Sequence, residues 1–172
     1  MVKRLKAVAS APLDVRAQII DVISAVTLHV DVQEFDVVRS MYAPDATLTY
    51  KSLFGADSSA IPAVQFWDQV IKFLPGFDRG FHQITNFDIH VEGDAAWSRS
   101  MVFSCHRLDS ELWEQGGLHE HDLVKLSVDW RIRHQTYTQY WERGRDLSRE
   151  AAERLSARTS AGHPTLIGRI PL

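Results

Sequence analysis

Histidine is the residue type in this chain whose frequency and placement suggest chemistry. The sequence contains eight histidines in 172 residues. Because imidazole gains and loses a proton near neutral pH, it serves as a general acid or base in enzymes. Five of the eight fall on predicted strands or strand ends: His82, His90, His106, His121 and His134. His119 is a sixth if its strand begins earlier than predicted. A single strand histidine is more often a hydrogen-bonded core or surface residue than a catalyst, so a pair that meets carries more weight.

Two of these histidines, His82 and His106, lie at the outer ends of a predicted hairpin. Its strands are Ile84–Val91 and Trp97–Phe103, and the intervening Glu92–Asp94 includes a glycine that can take the positive φ of a turn. Since side chains alternate faces along a strand, the length of the turn decides whether the two rings meet. A three-residue turn places them on one face, one diagonal apart, and a two-residue turn places them on opposite faces. We predict the three-residue turn, and hence a histidine pair on one face.

Asp31 has two roles open to it. It begins the pattern Asp-Val-Gln-Glu ending at Glu34, which has the form of a capping box that opens a short helix, Gln33–Met41. As an N-cap, its side chain would stabilise that helix by ~1 kcal/mol. A carboxylate at the end of the preceding helix, Asp14–His29, could instead reach a pocket imidazole and stabilise its protonated form. The spacing favours the cap, and the two roles are compatible.

Tyr50 and the triplet His119–His121 are further candidates. Tyr50 is in phase with Leu48 on a predicted strand, Ala46–Leu53, which suits either a core tyrosine or a hydroxyl that donates to a substrate carbonyl. The triplet places two imidazoles on one strand face, but two ligands without a third are weak grounds for a metal. The chain has no glycine-rich phosphate loop, no G-x-S-x-G and no C-x-x-C. We therefore expect neither a metal nor a cofactor.

The composition indicates one globular domain. With 45% hydrophobic residues, a chain of 172 residues has enough apolar side chains for a core. A net charge of −3 and a pI near 6.2 give no attraction to nucleic acid or anionic membranes. The one cysteine, Cys105, excludes an internal disulfide and favours a reducing compartment, and no stretch approaches the ~20 apolar residues of a membrane span. We predict a cytoplasmic protein without nucleic-acid or membrane partners.

The order of helical and strand patterns predicts an α+β fold. Three helices are interleaved with one short strand, then four long strands follow, with a loop at Leu108–Gln115, and a helix at Asp146–Arg158 comes last. This order predicts a curved, mostly antiparallel sheet that forms a cone closed by three N-terminal helices, with the last helix as a solvated flank or lid. The mouth of such a cone is a usual place for a small ligand. We divide the chain into a flexible N-terminus (1–12), a cone-shaped domain (13–145) and a C-terminal helix and tail (146–172).

Several stretches of the sequence resemble one family. They are HVDVQEFDVVRSMYAPDATLTY, FHQITNF, GDAAWSRSMVFSCHR and DWRIRHQTYTQYWERG, and they are similar to the scytalone dehydratase branch of the SnoaL-like, nuclear-transport-factor-like superfamily. The last stretch is generic to the superfamily, whereas the joint presence of the aspartate, the strand tyrosine and the two histidines is more specific. The resemblance runs from about Val26 to Arg143. It implies a cone-shaped α+β barrel, cofactor-free dehydration of a β-hydroxy ketone, and a homodimer or homotrimer.

The resemblance also implies a role for each of these four residues. His82 would take the proton α to the carbonyl and return it to the departing hydroxyl. His106, oriented by Asp31, would hold and help to protonate that hydroxyl, and Tyr50 would polarise the carbonyl through a water. These roles suit an enolate-like transition state, which needs a base of near-neutral pKa and a donor at the developing oxyanion, both inside a dry pocket.

Four further residues are expected to contact the substrate: Val30, Phe54, Phe66 and His119. Val30 stands where the family has a second tyrosine, and His119 replaces a pocket asparagine. Because both changes fall in the implied pocket, we do not expect scytalone itself as the substrate. A different hydroxy ketone of polyketide, aromatic or steroid type fits the resemblance as well.

Two other functions remain open on the same fold. An isomerase or cyclase, as in ketosteroid-isomerase-like and polyketide-cyclase-like relatives, more often uses a carboxylate base, so the pair His82 and His106 argues mildly against it. A non-catalytic ligand-binding or assembly subunit, like the small β subunits of ring-hydroxylating dioxygenases, would need a partner subunit that carries iron.

Overall fold

A computed structural model describes residues 11–51 and 59–161. Helix α1 spans Leu13–Asp31, α2 Phe35–Ser40, α3 Ala63–Val70 and α4 Ser148–Ser160, and a 3₁₀ turn at Leu74–Gly76 follows α3. None of the helices among these described residues is long and apolar enough to cross a membrane. The predicted tail beyond residue 161 and most of the predicted N-terminus (1–12) lie outside the described residues, so the division into segments stays a prediction.

Six strands form one curved, unclosed sheet in the order β2-β1-β6-β5-β4-β3. Their bounds are β1 Tyr42–Lys51, β2 Ile61–Pro62, β3 Arg79–Glu92, β4 Ala95–Leu108, β5 Glu111–Leu126 and β6 Asp129–Arg143. Strands β3 to β6 follow one another through short turns and therefore pair antiparallel. Among the described strands, only β1 and β6, which lie far apart in the sequence, pair in parallel. The predicted α+β class with a mostly antiparallel sheet is confirmed.

The main core lies between the helices and the inner face of this sheet. Helix α1 turns a buried stripe of Ile19, Ile23 and Val26 towards β3 and β6, at the spacing of one helical face. From the sheet, Ile89 and Ile132 are buried in the same cluster and are 1% and 0% exposed. The core therefore fixes α1 across the sheet, and the C-terminal end of α1 carries Asp31.

Helix α4 closes a second, smaller apolar cluster. Leu147, just before the helix, and Ala151 are both 0% exposed, and they contact Phe77, Leu108 and Trp113. The helix packs against the domain through these residues, and its remaining faces are exposed or half-buried, as predicted for a solvated flank. Two members of this cluster, Phe77 and Trp113, also contact His106. Helix α4 therefore packs against the side chains that hold the His106 ring in place.

The turn of the β3–β4 hairpin is shorter than predicted, but His82 and His106 still lie on one face of the sheet. Glu92 pairs with Ala95, so the turn has two residues rather than three, and Gly93 takes a φ of 58° at the position where a type II′ turn favours glycine. Alone, this turn would send the two histidines to opposite faces. A β-bulge between Thr85 and Asp88 adds one residue to β3, with Asn86 at a φ of 58°, and reverses the parity again.

The predicted loop at Leu108–Gln115 is wrong. Strand β4 continues to Leu108, and β5 begins at Glu111 after a two-residue turn in which Asp109 has a φ of 56°. Trp113 and Gln115 are buried, whereas Leu112 is exposed and Glu114 is half-buried, which is the alternation of a strand. Because the polar turn contains only the two residues between Leu108 and Glu111, most of the predicted loop belongs to the sheet. The side chains of Trp113 and Gln115 face its inner side.

Candidate active site

Asp31 and His82 form a hydrogen-bonded pair between α1 and β3. The Nδ1 of His82 lies 2.6 Å from Oδ1 of Asp31, and the backbone N–H of His82 donates to Oδ2 at 2.7 Å. Because a carboxylate only accepts hydrogen bonds, Nδ1 carries the proton and Nε2 is left for the pocket. Gly80 makes room for this contact, since a Cβ at that position would lie 3.3 Å from Oδ1 of Asp31.

This pair corrects two expectations about Asp31. Its carboxylate hydrogen-bonds to His82, not to His106 as the resemblance implied. Nor is Asp31 an N-cap, because it is the last residue of α1, while α2 begins at Phe35 with Glu34 in the cap position. The chain turns at Gln33, which has a φ of 61°, so the predicted capping box does not span the start of α2. Both bonds of the carboxylate go to β3.

His106 lies on β4 at the diagonal from His82. The two ring centroids are 5.2 Å apart with planes at 79°, which confirms that the rings meet on one face. The ring of His106 is also 5.0 Å from Phe77 and 5.5 Å from Trp113. Burial, together with the neighbouring ring of His82, lowers the pKa of His106 to about 3. At neutral pH this imidazole is uncharged, with one nitrogen that donates and one that accepts.

Neither ring nitrogen of His106 has a hydrogen-bond partner within the part of the chain that the structure describes. The residue is only 4% exposed. Leaving a buried donor or acceptor unpaired costs roughly 1–3 kcal/mol, so such groups are usually met by water or ligand. His106 therefore has the character of a binding group rather than of a satisfied core histidine.

Tyr50 belongs to a chain of hydrogen bonds that runs through Gln135. The Nε2 of Gln135 donates to the Tyr50 hydroxyl at 3.1 Å, and its Oε1 accepts from the Tyr42 hydroxyl at 2.6 Å. Burial raises the pKa of Tyr50, with a further contribution from Tyr137. The phenol of Tyr50 stays protonated at neutral pH and is suited to donating a hydrogen bond.

His119 and His121 form a second pair of imidazoles on the inner face of β5. Their ring centroids are 5.5 Å apart, and His119 also lies 6.5 Å from Tyr50. Burial lowers the pKa of both rings, that of His121 to about 3 and that of His119 well below its usual value. Within residues 11–51 and 59–161, no group of three or more His, Cys, Asp or Glu side chains is arranged to hold a metal ion.

The candidate residues meet in one pocket of about 100 Å³. Its apolar wall includes Val26, Val30, Phe66, Trp67, Val70 and Leu74. Its polar lining is Thr27, Tyr50, His82, His106, Gln115, His119 and Gln135. Of the predicted site residues, Asp31 stands behind His82 instead of lining the pocket, and Phe54 lies outside the described residues.

Three of the lining residues that the sequence did not predict lie on strands β5 and β6: Trp113, Gln115 and Gln135. The first two lay in the segment predicted as a loop, where no inward direction can be assigned. Gln135 lies on β6 in the stretch that looked common to the whole superfamily. An alternation count begun at Glu111 would have placed Trp113 and Gln115 on one face.

Comparison with known proteins assigns the family. The family model described as "SnoaL-like domain" matches residues 11–136, most of the chain. The chain belongs to the SnoaL-like domain family. The matched range contains every described residue of the candidate site, from Val26 to Gln135.

Relatives of this SnoaL-like protein cover most of its length. Protein Rv2910c of Mycobacterium tuberculosis is 29% identical over 139 residues, 76% of this chain and 86% of its own. A structure from Novosphingobium aromaticivorans, provisionally named a scytalone dehydratase, superposes with a TM-score of 0.65 at 18% identity and covers 78% of this chain and 89% of that one. Hexachlorocyclohexane dehydrochlorinase LinA-type3 of Novosphingobium barchaimii gives a TM-score of 0.65 at 15% identity, with 77% and 91% covered. At these identities the two structures establish the fold alone.

Proposed function

We propose that this SnoaL-like protein is a cofactor-independent dehydratase that eliminates water from a β-hydroxy ketone of polyketide, aromatic or steroid type. The observation that carries the proposal is the Asp31–His82 pair beside an apolar pocket that also contains His106, whose ring nitrogens have no hydrogen-bond partner among the described residues. Two solved relatives are named a dehydratase and a dehydrochlorinase, and both names describe an elimination. These names support the reaction class, not a particular substrate.

In the first step, His82 acts as the base. Its Nδ1 is bound by Asp31, so Nε2 takes the proton from the carbon α to the carbonyl, and the carboxylate stabilises the imidazolium that forms. The electron pair of the broken C–H bond moves onto the carbonyl oxygen as an enolate. Tyr50, whose phenol is kept protonated by burial, donates a hydrogen bond to that oxygen through a water. The apolar wall excludes bulk water, which strengthens these interactions.

In the second step, the enolate collapses and the bond to the β-hydroxyl breaks. The departing oxygen keeps the electron pair of that bond and takes the proton from Nε2 of His82, so that one water leaves and an α,β-unsaturated ketone remains. His106 is uncharged, because burial lowers its pKa to about 3, and it therefore holds the hydroxyl by hydrogen bonding instead of protonating it. His82 therefore both takes the proton from the α carbon and gives it to the departing oxygen.

The test uses two small probes that differ in one hydroxyl. Cyclohexanone reports α-proton abstraction through deuterium exchange in D₂O, and β-hydroxycyclohexanone reports dehydration through the ultraviolet absorbance of cyclohexenone. We expect the His82→Ala variant to lose both activities by about 10²–10⁴-fold while its thermal melting stays close to that of the wild type. His29→Ala is the matched control, since His29 also has a carboxylate partner at 2.6 Å but lies on the surface of α1.

Two results would overturn the proposal: no activity of the wild type on either probe, or equal activity in His82→Ala and wild type. An isomerase is the second candidate, because the same base also serves a double-bond shift. Migration of the double bond in a β,γ-unsaturated cyclohexenone, without dehydration of the hydroxyketone, would favour it.

The proposed enzyme acts in the cytoplasm as a homodimer or homotrimer, without nucleic acid, membrane or cofactor. Support for self-association comes from large apolar side chains that stay exposed, among them Phe81 at 56% and Tyr140 at 58%. Light scattering measures the mass in solution, and a value at the 19.6 kDa of one chain would contradict this part of the proposal.

A further inference from the structure

Gln115 is a pocket residue that the mechanism above leaves without a role. It lies on the inner face of β5 and is 5% exposed. Its Oε1 accepts a long hydrogen bond of 3.4 Å from the hydroxyl of Ser104 on β4. Its Nε2 is buried without a partner among the described residues. The bond to Ser104 orients the amide so that its N–H₂ group is the unsatisfied end.

Strand register places Gln115 close to both histidines of the proposed mechanism. Ser104 pairs with His82 on one side and with Gln115 on the other. His106, two residues further along β4 on the same face, is the diagonal neighbour of both. Diagonal partners lie about 7–8 Å apart at the backbone, which is within reach of long side chains that converge on one atom.

We infer that Gln115 and His106 together bind the departing oxygen of the substrate, and this inference rests on the proposed dehydration. Among the described residues, Nε2 of Gln115 and the ring nitrogens of His106 are buried without a hydrogen-bond partner, and a single ligand atom that accepts from both side chains satisfies them best. A β-hydroxyl oxygen has two lone pairs for this purpose. The amide of Gln115 donates through Nε2, and His106 donates through one ring nitrogen.

We assign the departing hydroxyl oxygen, and not the carbonyl oxygen, as the atom that Gln115 and His106 bind, because the departing oxygen receives a proton from His82. His82 gives back its proton in the second step, so the oxygen that receives it must lie beside His82. The ring of His106 is 5.2 Å from that of His82, which puts an oxygen bound to His106 next to the proton donor. As the C–O bond breaks, its electron pair stays on the oxygen, the proton moves from Nε2 of His82, and both neutral groups stabilise the charge that develops.

The variant Gln115→Leu removes the donor and keeps a side chain of similar length. We expect dehydration of β-hydroxycyclohexanone to fall by about 10²-fold in kcat/KM. Deuterium exchange into cyclohexanone, which has no leaving group, should stay within about twofold of the wild-type rate, because His82 and Tyr50 are untouched. Gln83→Leu is the matched control, since Gln83 is next to His82 but exposed on the outer face of β3, and it should change neither rate.

A binding measurement keeps the test independent of turnover and of variant folding. In the wild type, the side-chain N–H₂ resonances of Gln115, assigned by their absence in Gln115→Met, should shift on titration with β-hydroxycyclohexanone and not with cyclohexanone. Equal shifts with both ketones, or none with either, would overturn the inference. So would an equal loss of exchange and dehydration in Gln115→Leu, which would place the amide at the carbonyl, or no loss of either. If the wild type catalyses neither reaction, the proposed dehydration fails, and the selective N–H₂ shift alone decides whether a hydroxyl subsite exists.

Discussion

The inner face of the sheet carries two pairs of histidines, and the pairs differ in whether a carboxylate hydrogen-bonds to one of the rings. His82 and His106 have ring centroids 5.2 Å apart with planes at 79°, and His119 and His121 have centroids 5.5 Å apart with planes at 89°. Both pairs include a ring whose pKa burial lowers to about 3. Among the described residues, only the first pair has a carboxylate partner, because Asp31 at the end of α1 hydrogen-bonds to His82.

In the proposed mechanism, this difference separates the two pairs, because proton transfer needs an imidazole that can become charged. A ring without a counter-charge stays neutral when it is buried, because desolvation disfavours the charged form. The ring beside Asp31 can hold a proton between two steps of a reaction. In the second pair, His119 lines the pocket and neither ring has a role in the proposed proton transfer, and the variants below test this division of roles.

The largest effect is expected when the carboxylate is removed. Asp31→Asn keeps the shape of the side chain but removes the charge that stabilises protonated His82, so turnover of β-hydroxycyclohexanone should fall by about 10²–10⁴-fold. The control is Glu34→Gln, which removes the carboxylate partner of surface His29. Steady-state kinetics measure both variants. If they retain equal activity, the two pairs do not differ as described.

A smaller effect concerns stability in acid. The pKa of His121 is lowered from 6.5 to about 3, so the unfolded chain binds more protons between these two pH values, and stability is complete above pH 6.5 and falls as the pH drops towards 3. By pH 4.5 this amounts to a loss on the order of 3 kcal/mol, since each unit of pKa difference is worth ~1.4 kcal/mol.

His121→Asn should therefore flatten the fall in melting temperature between pH 7 and pH 4.5, whatever its stability at pH 7. The wild type, measured over the same pH range, provides the reference slope. Melting curves recorded as a function of pH measure both slopes. An unaltered slope in His121→Asn would mean that His121 is not a buried neutral ring.

The smallest effect is expected at His119, the ring of the second pair that lines the pocket. His119→Asn keeps a polar side chain in the pocket and removes no proton carrier, so KM for the hydroxyketone should change by about tenfold or less while kcat stays within about threefold. A loss of kcat as large as that of Asp31→Asn would assign His119 to the chemistry and end the distinction between the two pairs.

Local patterns in the sequence predict most of the architecture. Helical spacing in α1 and the alternating strands depend on neighbours a few residues away, and they are reproduced with shifted ends. The failures occur where short patterns have two solutions. Asp31-Val-Gln-Glu34 matches a capping box, but a left-handed Gln33 moves the start of α2 to Phe35, which frees the carboxylate for β3. Because the residues around Asp109 are polar, the start of the strand that carries Gln115 was predicted as a loop.

The sequence alone determined which chemical groups are present and that His82 and His106 flank one hairpin. It also determined the family likeness, since motif order is a property of the chain. Only the tertiary structure decided that a bulge at Asn86 compensates for a two-residue turn, that Asp31 contacts His82, and that Gln115 faces the pocket. The physical reason is that strand register and helix placement result from packing across the whole sheet. Contacts such as Asp31–His82, 51 residues apart, therefore have no local signal in the sequence.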